Sequence, residues 1–163
     1  MPTEAAPAQP AHALAAREPG RAWQVMYDAD CGMCTWVVAV LLAWDRDRHL
    51  HPCAIQSPAG ERLLGDLDEQ ARLDSWHLIS PAGERSSGGA ALGPLLGLLP
   101  GGTLGARVAS ASPALSERAY RWVADHRSLL SRPLSAGAKR RARDRVRRAE
   151  AGAEAGTAPG RPQ

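Results

Sequence analysis

Residues 23–42 constrain this chain more than any other stretch. A short apolar run, Trp23-Gln24-Val25-Met26-Tyr27, leads into Asp28-Ala29-Asp30-Cys31-Gly32-Met33-Cys34. An apolar helical stretch, Thr35-Trp36-Val37-Val38-Ala39-Val40-Leu41-Leu42, leaves it. The pattern predicts a strand over 23–27, a tight turn, and a helix from about Cys31 to Trp44. Two cysteines then sit one helical turn apart at a helix N-terminus, where unpaired backbone N–H groups and the helix dipole stabilise negative charge. Such a placement lowers a thiol pKa and lets the two sulfurs close a reversible disulfide.

The order of elements after this start narrows the fold. His49-Leu50-His51-Pro52-Cys53-Ala54-Ile55 alternates in polarity and reads as a second strand, with Pro52 opposing the assignment. Ser57-Pro58 reads as an N-cap followed by proline at the first helical position, opening a short helix through Leu63, Leu64 and Leu67. Ser75 to Ile79 makes a third strand, Pro81-Ala82-Gly83 a turn, and Glu84 to Ser87 a short fourth strand, together a hairpin. Gly88-Gly89 precedes a helix from Ala90 to Leu99. Ser112-Pro113 starts another, in which Leu115, Ala119, Trp122, Val123, His126 and Leu130 recur on one side and are expected to face the core. The order β-α-β-α-β-β-α-α, with C-x-x-C at the first strand-to-helix junction, predicts an α/β, thioredoxin-like fold: a small mixed sheet with flanking helices.

The 163 residues suit one domain plus tails. A core of about 110 residues buries enough apolar area to fold without disulfide staples. Residues 1–20, rich in Ala and interrupted by Pro2, Pro7, Pro10 and Pro19, are expected to be a disordered leader, and residues 21–133 the domain. Residues 134–163 are expected to be a basic tail, largely disordered or partly helical. From Pro133 onward eight basic and three acidic residues give +5, so the rest of the +3 chain is at −2. The folded part is therefore not a nucleic-acid surface, and the tail from Lys139 to Arg148 is the candidate for an anionic partner. No apolar run reaches the roughly 20 residues that span a bilayer. Residues 1–20 lack a basic segment followed by an apolar one, so no secretory signal is expected. Three cysteines in such a chain point to a reducing compartment, with the cytoplasm as the expected location.

Disulfide exchange needs one thiolate to attack and a second thiol to resolve the mixed disulfide. Cys31, at the helix cap, is the expected nucleophile and Cys34 the resolving thiol. Asp28 is the expected proton relay, and Asp30 the helix-start residue that bonds backbone N–H groups and tunes the thiol. The expected partners are a disulfide-bearing protein or a small thiol substrate, with an unidentified reductant, and no cofactor beyond the redox-active disulfide itself. A different reading is a non-enzymatic module, stabilised by zinc or binding a partner. It uses Cys31, Cys34, Cys53 and His49 or His51, since Zn²⁺ accepts two Cys with two further N or S ligands. Plain packing is the third, and Cys53 alone reads as a small buried hydrophobe. Trp36, Trp44, Trp76, Trp122 and His126 are expected in or at the edge of the core. No P-loop or dinucleotide fingerprint is present.

The stretch Tyr27-Asp28-Ala29-Asp30-Cys31-Gly32-Met33-Cys34 resembles the DCC family of predicted thiol-disulfide oxidoreductases (the DUF393 type), whose hallmark is Asp-x-x-Cys-x-x-Cys after an N-terminal strand. Asp28, Cys31 and Cys34 fill the hallmark positions, and Asp30 matches the frequent Asp-Cys pair. Leu41-Leu42-Ala43-Trp44-Asp45 is similar to the family's helix end with an acidic residue, and Tyr120-Arg121-Trp122-Val123-Ala124-Asp125-His126-Arg127 to its C-terminal Tyr-and-Arg helix motif. The resemblance spans about Trp23 to Arg132 and implies a small thioredoxin-like domain with redox activity. Thioredoxins themselves carry a cis-proline just before the third strand. Here Asp74-Ser75 stands there and Pro81 follows the strand, and this departure implies either a different mode of substrate docking or a domain that does not handle general protein disulfides.

Overall fold

The computed structural model describes residues 22–157. The expected leader over 1–20 and the last residues of the expected tail lie outside the described residues. Strand β1 (Trp23–Tyr27) runs through the turn into helix α1 (Gly32–Trp44), and β2 (Leu50–Ala54) returns beside β1. Helices α2 (Pro58–Leu63) and α3 (Glu69–Leu73) lead to the hairpin of β3 (His77–Ile79) and β4 (Arg85–Ser87). A 3-10 turn, Gly88–Ala91, then opens a helical half: α4 (Leu92–Leu98), α5 (Thr103–Ala111), α6 (Pro113–Asp125), α7 (Arg127–Leu130) and α8 (Ala136–Thr157).

The sheet order is β2-β1-β3-β4. β1 and β2 are parallel, as a helical crossover requires, while β3 runs antiparallel to both β1 and β4. This is the thioredoxin-like α/β arrangement. Alternation along β1 divides the core between the two faces of the sheet. Val25 and Tyr27 join Val38, Ala39, Leu78, Leu95, Leu99, Ala142 and Val146, so α1, α4 and α8 cover one face. Met26 joins Cys53, Ile55, Leu64 and Ile79 on the other. Pro52 is tolerated because β2 is an edge strand. The Ile55 N–H donates to the Tyr27 carbonyl at 2.9 Å, so by alternation the missing N–H of Pro52 points away from β1.

Local capping matches the sequence signals. Ser57 Oγ accepts the Gly60 N–H at 3.0 Å and Pro58 occupies the first position of α2. The charged run Asp45-Arg46-Asp47-Arg48 reads in the sequence as a helix end in water, and the structure differs at its first residue. Asp45 is buried, and its carboxylate accepts the His49 and Leu50 N–H groups at 3.1 and 2.7 Å, fixing the start of β2. The helix after Gly88-Gly89 begins as the 3-10 turn. A Cβ at Gly89 would collide with the Glu117 backbone, so glycine is what lets this turn lie directly on α6.

Two helices pack differently from expectation, although the partly helical reading of the tail agrees with α8. The stretch expected to be largely disordered or partly helical is a 22-residue helix, α8, packed on α1 and β2 with Ala142 and Val146 buried. Its stripe is narrow and made of small residues, which let two helix backbones approach closely. The other faces carry exposed Arg140, Arg141, Arg143, Arg145, Arg147 and Arg148. By contrast, the expected core face of α6 points outward. Leu115, Trp122 and Val123 are 60%, 57% and 41% exposed, and the Trp122 ring stacks on His126 at 4.7 Å. α6 is held from its other side. Ser116 Oγ donates to the Ala109 carbonyl, Glu117 accepts the Gly89 N–H, and Tyr120 Oη accepts the Trp76 N–H at 3.1 Å. Trp36 and Trp76 pack against the core as expected, whereas Trp44 and Trp122 are exposed.

Candidate active site

The C-terminal ends of β1 and β2 lie side by side, and the Asp28–Cys34 turn crosses between β1 and α1 at that end. Cys31 is the N-cap of α1. Its backbone is extended, its carbonyl accepts the Thr35 N–H at 3.0 Å, and its Sγ accepts the Cys34 N–H at 3.3 Å. A thiol therefore occupies the place that a Ser, Thr, Asp or Asn oxygen fills in most helices. Thr35 is buried, and its hydroxyl donates to the same Cys31 carbonyl at 3.2 Å, which pins the cap.

Asp28 organises the turn. Its Oδ1 accepts the Asp30 N–H at 3.0 Å and the Gln56 side-chain amide at 2.7 Å, while Gln56 Oε1 accepts the Ala29 N–H at 3.2 Å. Gln56 thus clamps the turn from the loop after β2. Nothing in its local sequence marks it. The signal that finds it is topological: in a parallel β-α-β unit, the residues just past both strands meet at the same end. Asp30, expected as the helix-start residue, is exposed and stands one position before the cap, and the capping bond belongs to Cys31 instead.

The two thiols are half-buried and free, and their environments drive them apart. A hydrogen bond from the Cys34 thiol, helped by the Cys34 and Met33 amides, holds the Cys31 thiol down at about 6, against partial burial and the Asp28 carboxylate. The bond that Cys34 gives to Cys31 pushes its own thiol far up. Burial and the charges on Cys31 and Asp28 add to this, and the Arg127 guanidinium opposes it. One sulfur is thereby prepared as an anion and the other as a proton holder. Arg127 comes from α7, just after the Tyr-and-Arg helix motif, so the helical half of the chain reaches the dithiol. A second approach comes from α8, where the Lys139 stem lies against Gly32.

The alternative zinc ligands are not brought together. Cys53 lies on the opposite face of the sheet from α1, among Met26, Ile55, Leu64 and Ile79, with its Sγ 3.6 Å from Ser57 Oγ. His51 shares the alternation of Cys53, and His49 lies 3.7 Å from the Asp47 carboxylate at the far end of β2. Among the described residues, no group of three or more His, Cys, Asp or Glu side chains converges to hold a metal ion. No helix among them is long and apolar enough to cross a membrane. His77, which is buried, is a structural histidine, with its ring nitrogens at 2.7 Å from Ser87 Oγ and 3.2 Å from the Arg72 carbonyl oxygen.

A family model described as DCC1-like thiol-disulfide oxidoreductase matches residues 25–133, which include the turn, both cysteines, the sheet from Val25 of β1 onward and helices through α7. Neither the curated proteins nor the solved structures contain a match to the chain. With two thirds of its length matched and the Asp-x-x-Cys-x-x-Cys turn at a strand-to-helix junction, the chain belongs to the DCC1-like thiol-disulfide oxidoreductase family.

Proposed function

We propose that this protein exchanges two electrons between its Cys31/Cys34 dithiol and a disulfide-bearing protein or small thiol substrate. The observation that carries the reading is the capping bond: Cys31 Sγ, at the first turn of α1, receives the Cys34 N–H at 3.3 Å and is held as a thiolate at neutral pH. Cys31 attacks and Cys34 resolves. Asp28 receives the Cys34 proton in the second step, its charge being close enough to raise both thiols. The exchange belongs in the cytoplasm, a reducing compartment in which a dithiol that forms no structural disulfide can cycle.

Titration against a glutathione couple, with free thiols counted at each potential, tests the reading. A single reversible step involving two thiols is expected, and Cys34→Ser should abolish it while leaving a Cys31–glutathione mixed disulfide. A chain whose Cys31 and Cys34 stay reduced at every potential sinks the reading.

A further inference from the structure

Among the twenty basic residues of this chain, Lys139 is the single lysine, and its stem lies against the active turn. Its Cδ and Cε lie 3.7 and 3.9 Å from the position a Cβ would take on Gly32, the residue that follows Cys31. Three features fix that placement. Ser135 caps the first turn of α8, its Oγ accepting the Ala138 N–H at 3.1 Å and its carbonyl the Lys139 N–H at 3.0 Å. Ala142 and Val146, three and seven residues on, are buried on the same helix face. Glu150, eleven residues on, accepts the Tyr27 hydroxyl at 3.0 Å. The rotation of α8 about its axis is thus set at three points, and Lys139 falls over Gly32.

The charges already at the turn are unfavourable to a second sulfur anion. Asp28 repels negative charge at both cysteines, Asp30 is exposed beside Cys31, and Arg127 acts on Cys34. When the Cys31 thiolate attacks a disulfide RS–SR′, a Cys31–SR bond forms and the S–S bond breaks. Its electron pair departs on R′S⁻. That anion is created beside Cys31, against the field of the Asp28 carboxylate.

We infer that Lys139 supplies the positive charge that the departing substrate thiolate meets, making α8 part of the active site. This rests on the dithiol function proposed above. In the second step the Cys34 thiolate attacks Cys31, releases RS⁻ and closes the Cys31–Cys34 disulfide, and its proton passes to Asp28. Two electrons have then moved to the substrate. A compact ammonium suits a single sulfur anion better than the planar fork of arginine, which is matched to carboxylates and phosphates. Lys139 also lies beyond residues 25–133, so the assignment comes from the packing of α8 and not from the family match.

Leaving-group chemistry separates this role from a structural one. Two neutral probes are compared: bis(2-hydroxyethyl) disulfide, whose thiolate leaves poorly, and 4,4′-dithiodipyridine, whose thiolate needs no help. Lys139→Met keeps a stem over Gly32 and removes the charge. It should slow reaction with the first probe about tenfold and with the second less than about twofold, because exchange rates depend on the stability of the leaving thiolate. Lys139→Arg should restore the first rate to within about threefold of wild type, and the pH midpoint of Cys31 alkylation should stay in place. Equal slowing with both probes, or none with either, overturns the inference. A wild-type Cys31 that reacts with neither probe overturns the dithiol function itself, and this role with it.

Discussion

Helix α6 carries Leu115, Trp122 and Val123 along one side and leaves each of them more than 40% exposed, while α8, whose one apolar side chain larger than alanine is Val146, buries Ala142 and Val146 to 5% or less. Richer apolar content went to solvent and poorer content to the core. The difference lies in what each helix has to pack against. α8 lies along α1 and β2, where Val38, Ala39 and Leu50, with Tyr27 of the adjoining β1, provide the bulk, so small residues on α8 suffice and a large one would hold the helices apart. α6 is attached through backbone and polar contacts at Gly89, Ser116, Glu117 and Tyr120, on the side away from its large hydrophobic residues. Helix amphipathicity identifies a face, and the neighbouring elements decide whether that face is covered.

The strongest way to break this contrast is Val146→Asp. A carboxylate at a position 1% exposed, between α8 and the sheet, should cost about 3 kcal/mol or more and lower the urea midpoint accordingly. It should also free Lys139 from Gly32 and slow exchange with poor leaving groups. A midpoint within error of wild type would mean that α8 is the solvated tail its composition suggests.

That composition explains how much was legible beforehand. β1, the turn, α1, β2 and the hairpin carry local signals: alternation, a Ser57-Pro58 cap, turn glycines, and the cysteine pair itself. All of these were readable at one position or a few. Cys31 and Cys34 were identifiable as a pair because three residues of helix set their spacing regardless of tertiary context. Gln56, Lys139 and the buried role of Asp45 were not, because each acts on a residue supplied by another element. The docking of α8 escaped because alanine adds little to an apolar stripe, although six exposed arginines around that stripe are what a helix with one narrow buried face requires. α6 misled in the opposite direction, since periodicity reports a face and not its neighbour.

Tyr27→Phe tests the polar anchor of α8 with a smaller effect. The Tyr27 hydroxyl donates to Glu150, and burial together with that carboxylate pushes the phenol well up, so it remains a donor throughout the accessible pH range. Losing the bond should cost about 1 kcal/mol and speed amide exchange in the last two turns of α8, with Lys139 still seated on Gly32. Uniform acceleration along the whole helix would show that Glu150, rather than Ala142 and Val146, holds α8 in place.

Arg127→Gln probes the other helix at the point where it reaches the dithiol. Arg127 is exposed and its charge favours the Cys34 thiolate, so neutralising it should raise that thiol further. The resolving step should slow by about threefold at low salt, and by less at high salt, because an exposed charge is screened. The Cys31 alkylation midpoint should remain near 6, since Arg127 is not among its causes. A Cys31 midpoint that moves instead would place Arg127 on the nucleophile.

The smallest effect is expected where the apolar surface is most conspicuous. Trp122 stacks on His126 but is 57% exposed, and its neighbours on the same side, Leu115 and Val123, are also open to solvent. Trp122→Ser should therefore change stability by no more than about 0.5 kcal/mol and leave both exchange steps untouched, as substitutions outside packed or buried positions do. A loss of 2 kcal/mol or more (about what burying a large side chain contributes) would mean that this side of α6 is covered in solution. The contrast between the two helices would then be one of partner and not of exposure: α8 covered by its own chain, α6 by another.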